Sequence, residues 1–304
     1  MGSPKPSKFL PSRFLEDVRK TAAAIGAPFS ESVTLKVLDT FADQFNDGVV
    51  VLRTTNQPVA RLDYRVLMLR KADMLALAES AGFVERGDVL SGLITLWSSL
   101  YGGIPEASCD FDASKGLSKV WLFFGAIRPM DEILLAPGLP ESISRHRPLF
   151  HSLGLTNIQH VAVDYHRRSL NLYFDYKGVT TLDRAAGLTK LAKADPPDPA
   201  LLKQMNEYLS PDGHPFAVTM TLDGTIHRVC FYAIQHVEGS AQKLDPVLNT
   251  FWSAAPCYDD IDFKGLGWSF GGNPYLKAEQ GYCGNVVSIG EYWGVYPEPT
   301  GTTE

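Results

Sequence analysis

Five short turn signals, each flanked by residues of alternating polarity, constrain the fold of this chain more than any other feature. They are Asn56-Gln57-Pro58 within VVVLRTTNQPVARLDYRVLM, Ser114-Lys115-Gly116 within CDFDASKGLSKVWLFFG, His166-Arg167-Arg168 within VDYHRRSLNLYFDY, Asp223-Gly224 within FAVTMTLDGTIHRVCFYAI and Gly272-Asn273 within GLGWSFGGNPYLKAEQGYCGNV. A period of two marks a strand, and turn formers between two such runs mark a hairpin. The turns recur about every 50 to 60 residues, so one unit repeats. The intervals read as helices: SRFLEDVRKTAAAIG, with a Ser cap and a closing Gly, then ESVTLKVLDTFADQF, KADMLALAESAGF, DVLSGLITLWSSLYGG, DEILLAPG, ESISRHRPLFHSLG, TTLDRAAGLTKLAK, PALLKQMNEYL and LDPVLNTFWSAAP. The predicted unit is helix, helix, strand, strand. Antiparallel strands in sequence order can close on themselves, which removes the edges that invite aggregation. The expectation is an α+β fold: a ten-stranded antiparallel closed β-barrel surrounded by helices, one domain over residues 1–304, with residues 1–9 a flexible tail.

Alternation also predicts which side chains face the lumen. Leu62, Tyr64, Val66 and Met68 form an apolar face fit to pack under helices, leaving Arg61, Asp63 and Arg65 inside. By the same rule Lys119, Trp121 and Phe123 oppose Val120, Leu122 and Phe124. Asn171 and Tyr173 oppose Leu170, Leu172 and Phe174; Arg228, Cys230 and Tyr232 oppose Val229, Phe231 and Ala233; Lys277 shares its face with Tyr275 and Glu279. A lone Lys or Arg on a strand is ordinarily a solvated residue whose stem covers apolar surface. Arg53, Arg65, Lys119, Arg228 and Lys277 together are harder to read that way in a chain of net charge −6. Cations gathered inside a barrel repel one another unless a polyanion compensates, and a diphosphate would do so. The interleaved aromatic rings offer quadrupole faces that stabilise a carbocation. Cations beside aromatic rings suit ionisation of an allylic diphosphate and capture of the allyl cation.

Composition excludes other classes. An acidic chain argues against a nucleic-acid or anionic-membrane surface. No apolar run is long enough to span a bilayer, and MGSPKPSKFLPSRF lacks the apolar core of a secretory signal, so the expected location is the cytoplasm. Cys109, Cys230, Cys257 and Cys283 form no C-x-x-C pair and read as buried thiols. YDDIDF places its third Asp one position too early for the D-D-x-x-D magnesium pattern, and no H-E-x-x-H, phosphate loop or dinucleotide fingerprint occurs.

The segments TAAAIGAP, WSSLYGG, KVWLFFGAIRP, VDYHRRSLNLYF, GTIHRVCFYAI and GWSFGGNPYLKAEQGYCGN resemble those of the ABBA-type aromatic prenyltransferases, soluble enzymes built on a barrel of ααββ repeats (the PT barrel). The branch that dimethylallylates phenols, hydroxynaphthalenes or phenazines in bacterial antibiotic pathways and in some fungi is the most similar. The resemblance implies a dimethylallyl diphosphate donor, an aromatic small-molecule acceptor and a Friedel–Crafts alkylation in secondary metabolism. Position by position it implies Arg65, Lys119, Asn171, Arg228 and Lys277 around the diphosphate, with Arg53 added. Tyr173 and Tyr232 would contact phosphate or shield the allyl chain, and Trp121 would line the same chamber. The acceptor would lie near Gln159, Ala217 and Glu279. Glu279 would take the ring proton or serve as a structural counter-ion. Relatives acting on a carboxylated phenol present an arginine where this chain has Gln159, which favours an acceptor with neutral or differently placed polar groups.

The resemblance further implies that magnesium is not required, because metal-independent members carry an arginine at the position of Arg65. That residue would pair with Asp63 or replace the ion Asp63 would have bound. No other cofactor is expected. Bulky Trp121, Phe123, Tyr173 and Tyr232 favour a dimethylallyl over a geranyl donor. A barrel carrier that stores an aromatic or isoprenoid ligand without chemistry is the competing reading, but a carrier of a neutral ligand has no use for luminal cations. The closed barrel makes a monomer reasonable.

Overall fold

The structure is a computed structural model that describes residues 8–68, 70–102, 106–234 and 245–286. It opens with α1 (Pro11–Ala24), whose N-cap is Leu10 rather than the expected Ser; Pro11 supplies the start instead, since its missing N–H is one the first turn would leave unbonded. Gly26, at φ +67°, ends the segment. ESVTLKVLDTFADQF divides into α2 (Glu31–Thr40), capped by Ser30, and α3 (Ala42–Asp47). Next come β1 (Val49–Thr55), β2 (Leu62–Leu67), α4 (Met74–Ser80), α5 (Val89–Ser99), β3 (Glu106–Asp112) and β4 (Gly116–Pro129). ESISRHRPLFHSLG also divides, so that α6 (Met130–Leu134) is followed by α7 (Glu141–Ser144) and α8 (Arg147–Ser152). The chain continues through β5 (Asn157–Asp164), β6 (Ser169–Tyr176), α9 (Leu182–Lys190), α10 (Pro199–Asn206), β7 (His214–Thr221), β8 (Ile226–Ala233), α11 (Pro246–Ala254), β9 (Lys264–Phe270) and β10 (Tyr275–Cys283).

Every strand pairs antiparallel with its sequence neighbours, and β1 pairs with β10 to close the barrel. The meander puts all five expected turns at one end, between β1 and β2, β3 and β4, β5 and β6, β7 and β8, and β9 and β10; the helices connect strands at the other end. The expected outer faces pack under those helices. Leu62, Tyr64, Val66, Val120, Leu122, Leu170, Leu172, Phe174, Val229 and Phe231 are buried in one cluster with helix residues such as Phe14, Val37, Leu93 and Trp97. Burying each such side chain contributes about 1.5–3 kcal/mol. The opposite parity builds the inside: Val49, Val51, Leu67, Phe263 and Val286 form an apolar cluster at the helix-connection end.

Two expectations change, one of a boundary and one of burial. Residues 1–7 lie outside the described residues, but Phe9 is buried against Phe14, Phe45 and Tyr282, so the packed chain begins before the expected end of the tail at residue 9. Cys109, Cys230 and Cys283 are buried free thiols, whereas Cys257 is half-buried. Within YDDIDF, Asp259 accepts from the backbone N–H groups of Gly284 and Asn285 at 2.9 and 2.8 Å and so fixes the chain leaving β10.

Candidate active site

The interior charges form a connected network on β1, β2, β3 and β10. Asp110 lies directly across from Arg65 in the β2–β3 ladder and accepts from Arg65 Nε at 2.5 Å, while its other oxygen is 3.1 Å from Arg53. Arg53 also donates to Asp63 Oδ2 at 2.9 Å, an oxygen that Arg61 contacts as well. Glu279, opposite Arg53 in the β1–β10 ladder, pairs with Arg65 at 3.3 Å. Burial opposes the Arg53 charge, but Asp110, Asp63 and Glu279 outweigh it and hold the guanidinium protonated well above its ordinary range. Burial likewise opposes the Asp110 carboxylate, and Arg65 and Arg53 outweigh it, holding the carboxyl well below its ordinary value.

This arrangement corrects two expectations. Arg65 does not pair with Asp63, which is taken by Arg53 and Arg61; its partners are Asp110 and Glu279. Nor are the luminal cations left entirely for a ligand to balance, since Asp63, Asp110 and Glu279, with Asp164 beside Lys119 at 3.6 Å, compensate several of them. Burial is not fully offset at Lys119, whose ammonium pKa is pushed down to about 8 despite Asp164.

Arg228 and Lys277 differ from the rest: among the described residues neither is bridged to a carboxylate. Arg228 donates to Ser269 Oγ at 3.3 Å and lies 4.6 Å from the Tyr275 ring centre. Lys277 donates to the Tyr232 hydroxyl at 2.5 Å. Asn171 completes this side. Thr219 donates to its Oδ1 at 2.6 Å, which leaves Nδ2 a buried donor with no hydrogen-bond partner among the described residues.

Trp121 joins the charges to the rings. The Arg65 guanidinium carbon stands 4.4 Å and the Lys119 ammonium 5.8 Å from its ring centre, while Tyr173 packs against it at 4.5 Å. Tyr232 follows at 6.1 Å from Tyr173, and Ala162, Ala217 and Cys230 supply small walls between the rings. Burial raises the phenol pKa values of Tyr173 and Tyr232 well above the ordinary range, so both are neutral hydrogen-bonding groups.

The expected acceptor residues are not all brought together. Ala217 lies across from Tyr173 and belongs to the aromatic belt, whereas Glu279 stands in the arginine network. Gln159 is buried in a bulge of β5, where the pairing with β6 shifts between Ile158 and His160. Beyond the bulge His160 keeps the luminal parity of Ala162 and Asp164, opposite Val161 and Val163, while Ile158 before it lies on the outer face. His160 packs on Phe123 at 5.1 Å and meets Tyr173 edge-on at 6.5 Å. Burial first, and Arg65 second, push its pKa down to about 3, so the ring is neutral. His160 was legible by alternation with Val161 and Val163, although no motif singled it out; what leaves no mark in the residue pattern is the bulge. Asp110 was legible: Cys109 and Phe111 take the outer face and leave it inside.

The lumen thus holds fixed cations for an anionic leaving group, buried aromatic faces touching them, and a neutral ring-lined region near Phe123 and His160. Comparison with known proteins agrees in kind. The family described as aromatic prenyltransferase Orf2 matches residues 9–294. An aromatic prenyltransferase of Sclerotinia sclerotiorum is 43% identical over 95% of this chain and 96% of its own. A 4-hydroxyphenylpyruvate 3-dimethylallyltransferase of Streptomyces niveus is 37% identical over 96% of this chain and 91% of its own. Among solved structures, 5-dimethylallyltryptophan synthase from Streptomyces coelicolor shares the barrel with a TM-score of 0.58 at 12% identity, covering 90% of this chain and 97% of that one. By sequence match, the chain belongs to the Orf2 family of aromatic prenyltransferases.

Proposed function

We propose that this enzyme moves a dimethylallyl group from dimethylallyl diphosphate to a neutral, electron-rich aromatic acceptor such as a phenol, hydroxynaphthalene or phenazine. The observation that carries this reading is the contact between the cation network and the aromatic belt at Trp121, which sets a leaving-group site directly beside carbocation-stabilising rings. Arg53, Arg65, Lys119, Asn171, Arg228 and Lys277 hold the diphosphate. The donor C–O bond breaks and its electron pair leaves with the diphosphate. Tyr173, Tyr232 and Trp121 flank the allyl cation until a ring carbon of the acceptor, seated by Gln159, Phe123, Ala217 and His160, forms the new C–C bond. Glu279 or water takes the proton released as aromaticity returns. Positioning and preorganised charge supply most of the acceleration.

The residues present do not fit a magnesium ion at Asp63. A divalent cation there would face the two guanidiniums that already hold this carboxylate. Arg53 and Arg65 supply fixed positive charge in its place. A non-catalytic carrier is not favoured, because storage alone gives Arg228 and Lys277 no anion to balance. With no free strand edge in the barrel, the working form is a monomer. No helix among the described residues is long and apolar enough to cross a membrane, and the cytoplasm is the proposed location.

The test is incubation with dimethylallyl or geranyl diphosphate, a panel of neutral electron-rich aromatics, and EDTA, with products scored by mass. Prenylated aromatic formed in EDTA, with the higher kcat/KM for dimethylallyl diphosphate, is expected. Activity restored only by magnesium would return Asp63 to the role of metal ligand, and a preference for geranyl diphosphate would overturn the assigned donor.

A further inference from the structure

Tyr275 begins β10 opposite Ser269, the residue to which Arg228 donates, and it is buried. Two cations lie against its ring, Arg228 from β8 at 4.6 Å and Lys277 from its own strand at 5.8 Å. These are the two luminal cations without a carboxylate partner among the described residues. The Tyr275 hydroxyl makes no hydrogen bond among those residues, although Tyr232, the neighbouring phenol, is engaged by Lys277.

We propose that Tyr275 is a further ligand of the diphosphate: its phenol donates a hydrogen bond to a phosphate oxygen, and its phenolate competes with the diphosphate for Arg228 and Lys277. The inference rests on reading the lumen as a diphosphate site. The geometry is two cations set against the ring of one acidic group, and an incoming anion competes with that group for them. The charged and titratable groups facing Tyr275 are Lys277 on β10, Arg228 and Cys230 on β8, and Arg167 from the β5–β6 turn, with His227 beside Arg228 and Arg167. Ser269 on β9 is neutral. Burial raises the Tyr275 pKa, but Lys277, Arg228 and Arg167 outweigh it and bring the phenol down to about 7.

Because the bound diphosphate favours the protonated form, affinity falls as pH rises through that value. Calorimetric titration of the whole enzyme with inorganic diphosphate tests this at pH 6, 7 and 8. For wild type the Kd rises about tenfold between pH 6 and 8, the factor that one competing ionisation near 7 produces. For Tyr275→Phe it stays level, tightens as the diphosphate itself ionises, or weakens by about twofold through Lys119, whose pKa is about 8. The wild type also shows a near-ultraviolet tyrosinate band at pH 8 that disappears when diphosphate is added, a readout that holds even if the variant fails to fold. An equal tenfold rise in both proteins, or a band unchanged by diphosphate, overturns the inference and leaves the site standing. No binding by wild type at pH 6 overturns the diphosphate site and the inference with it.

Discussion

Asp110 binds two guanidiniums at once, and removing its charge takes one partner from each, leaving Arg53 to Asp63 and Arg65 to Glu279. Breaking a buried ion pair from one side costs about 3–5 kcal/mol, because the remaining charge stays desolvated. Asp110→Asn keeps the shape and is expected to lose about that much stability in urea, and about a hundredfold in kcat/KM for the donor as Arg53 and Arg65 lose their anchor. The folded-state pKa values of Asp110 and Asp63 are depressed. Their stabilisation is therefore complete above the unfolded carboxyl pKa of about 3.9 and is lost as pH falls below it, so acid unfolding of the Asn variant begins at higher pH than that of wild type. Lys119 has the opposite sign. Its folded pKa lies below its unfolded one, so its charge destabilises the fold up to about pH 8, and the penalty is relieved between there and the unfolded value. Lys119→Met is expected to raise stability by about 1–3 kcal/mol at pH 7, to remove the gain expected of wild type above pH 8, and to weaken donor binding. Unchanged stability together with unchanged donor KM would contradict the placement of Lys119.

At the scale of elements, the turns and faces were readable because most strand residues alternate between two buried environments, one greasy and one charged. Tyr64 and Arg65 could not exchange faces without burying a guanidinium under α1. What could not be read were interruptions of period. The bulge at Gln159 shifts the parity between Ile158 and His160, and the break that divides α2 from α3 carries no strong stop signal, whereas Pro148 marks the start of α8. The ion-pair partners were also illegible, because they depend on which strands become neighbours; Asp110 meets Arg53 across an intervening strand. The Asp223-Gly224 turn shows how a local signal carries a tertiary demand. Gly224 has φ +81°, and a Cβ there would lie 2.0 Å from the carbonyl oxygen of Ser142 in α7. Gly224→Ala is expected to destabilise by about 2–4 kcal/mol, against about 1 kcal/mol for Gly26→Ala, where φ is +67° but the space is open. Equal denaturation midpoints for the two variants would contradict the packing of this turn on α7.

For the whole molecule, closure of the barrel explains both the fold and the site. Ten strands with one greasy face can bury it only under an outer layer of helices, and the opposite faces are thereby collected into one enclosed volume. Charges distributed over five distant hairpins then become neighbours, which is why a site invisible in any one segment emerged from the alternation of all of them. The central claim is that this volume couples loss of diphosphate to alkylation of an aromatic ring. A single-turnover reaction measures it most directly: enzyme in excess over dimethylallyl diphosphate, a saturating electron-rich aromatic, and EDTA, with diphosphate and prenylated aromatic quantified in the same samples. The account predicts that both appear together at one rate and in equal amounts. Diphosphate released with dimethylallyl alcohol and no alkylated ring would contradict it.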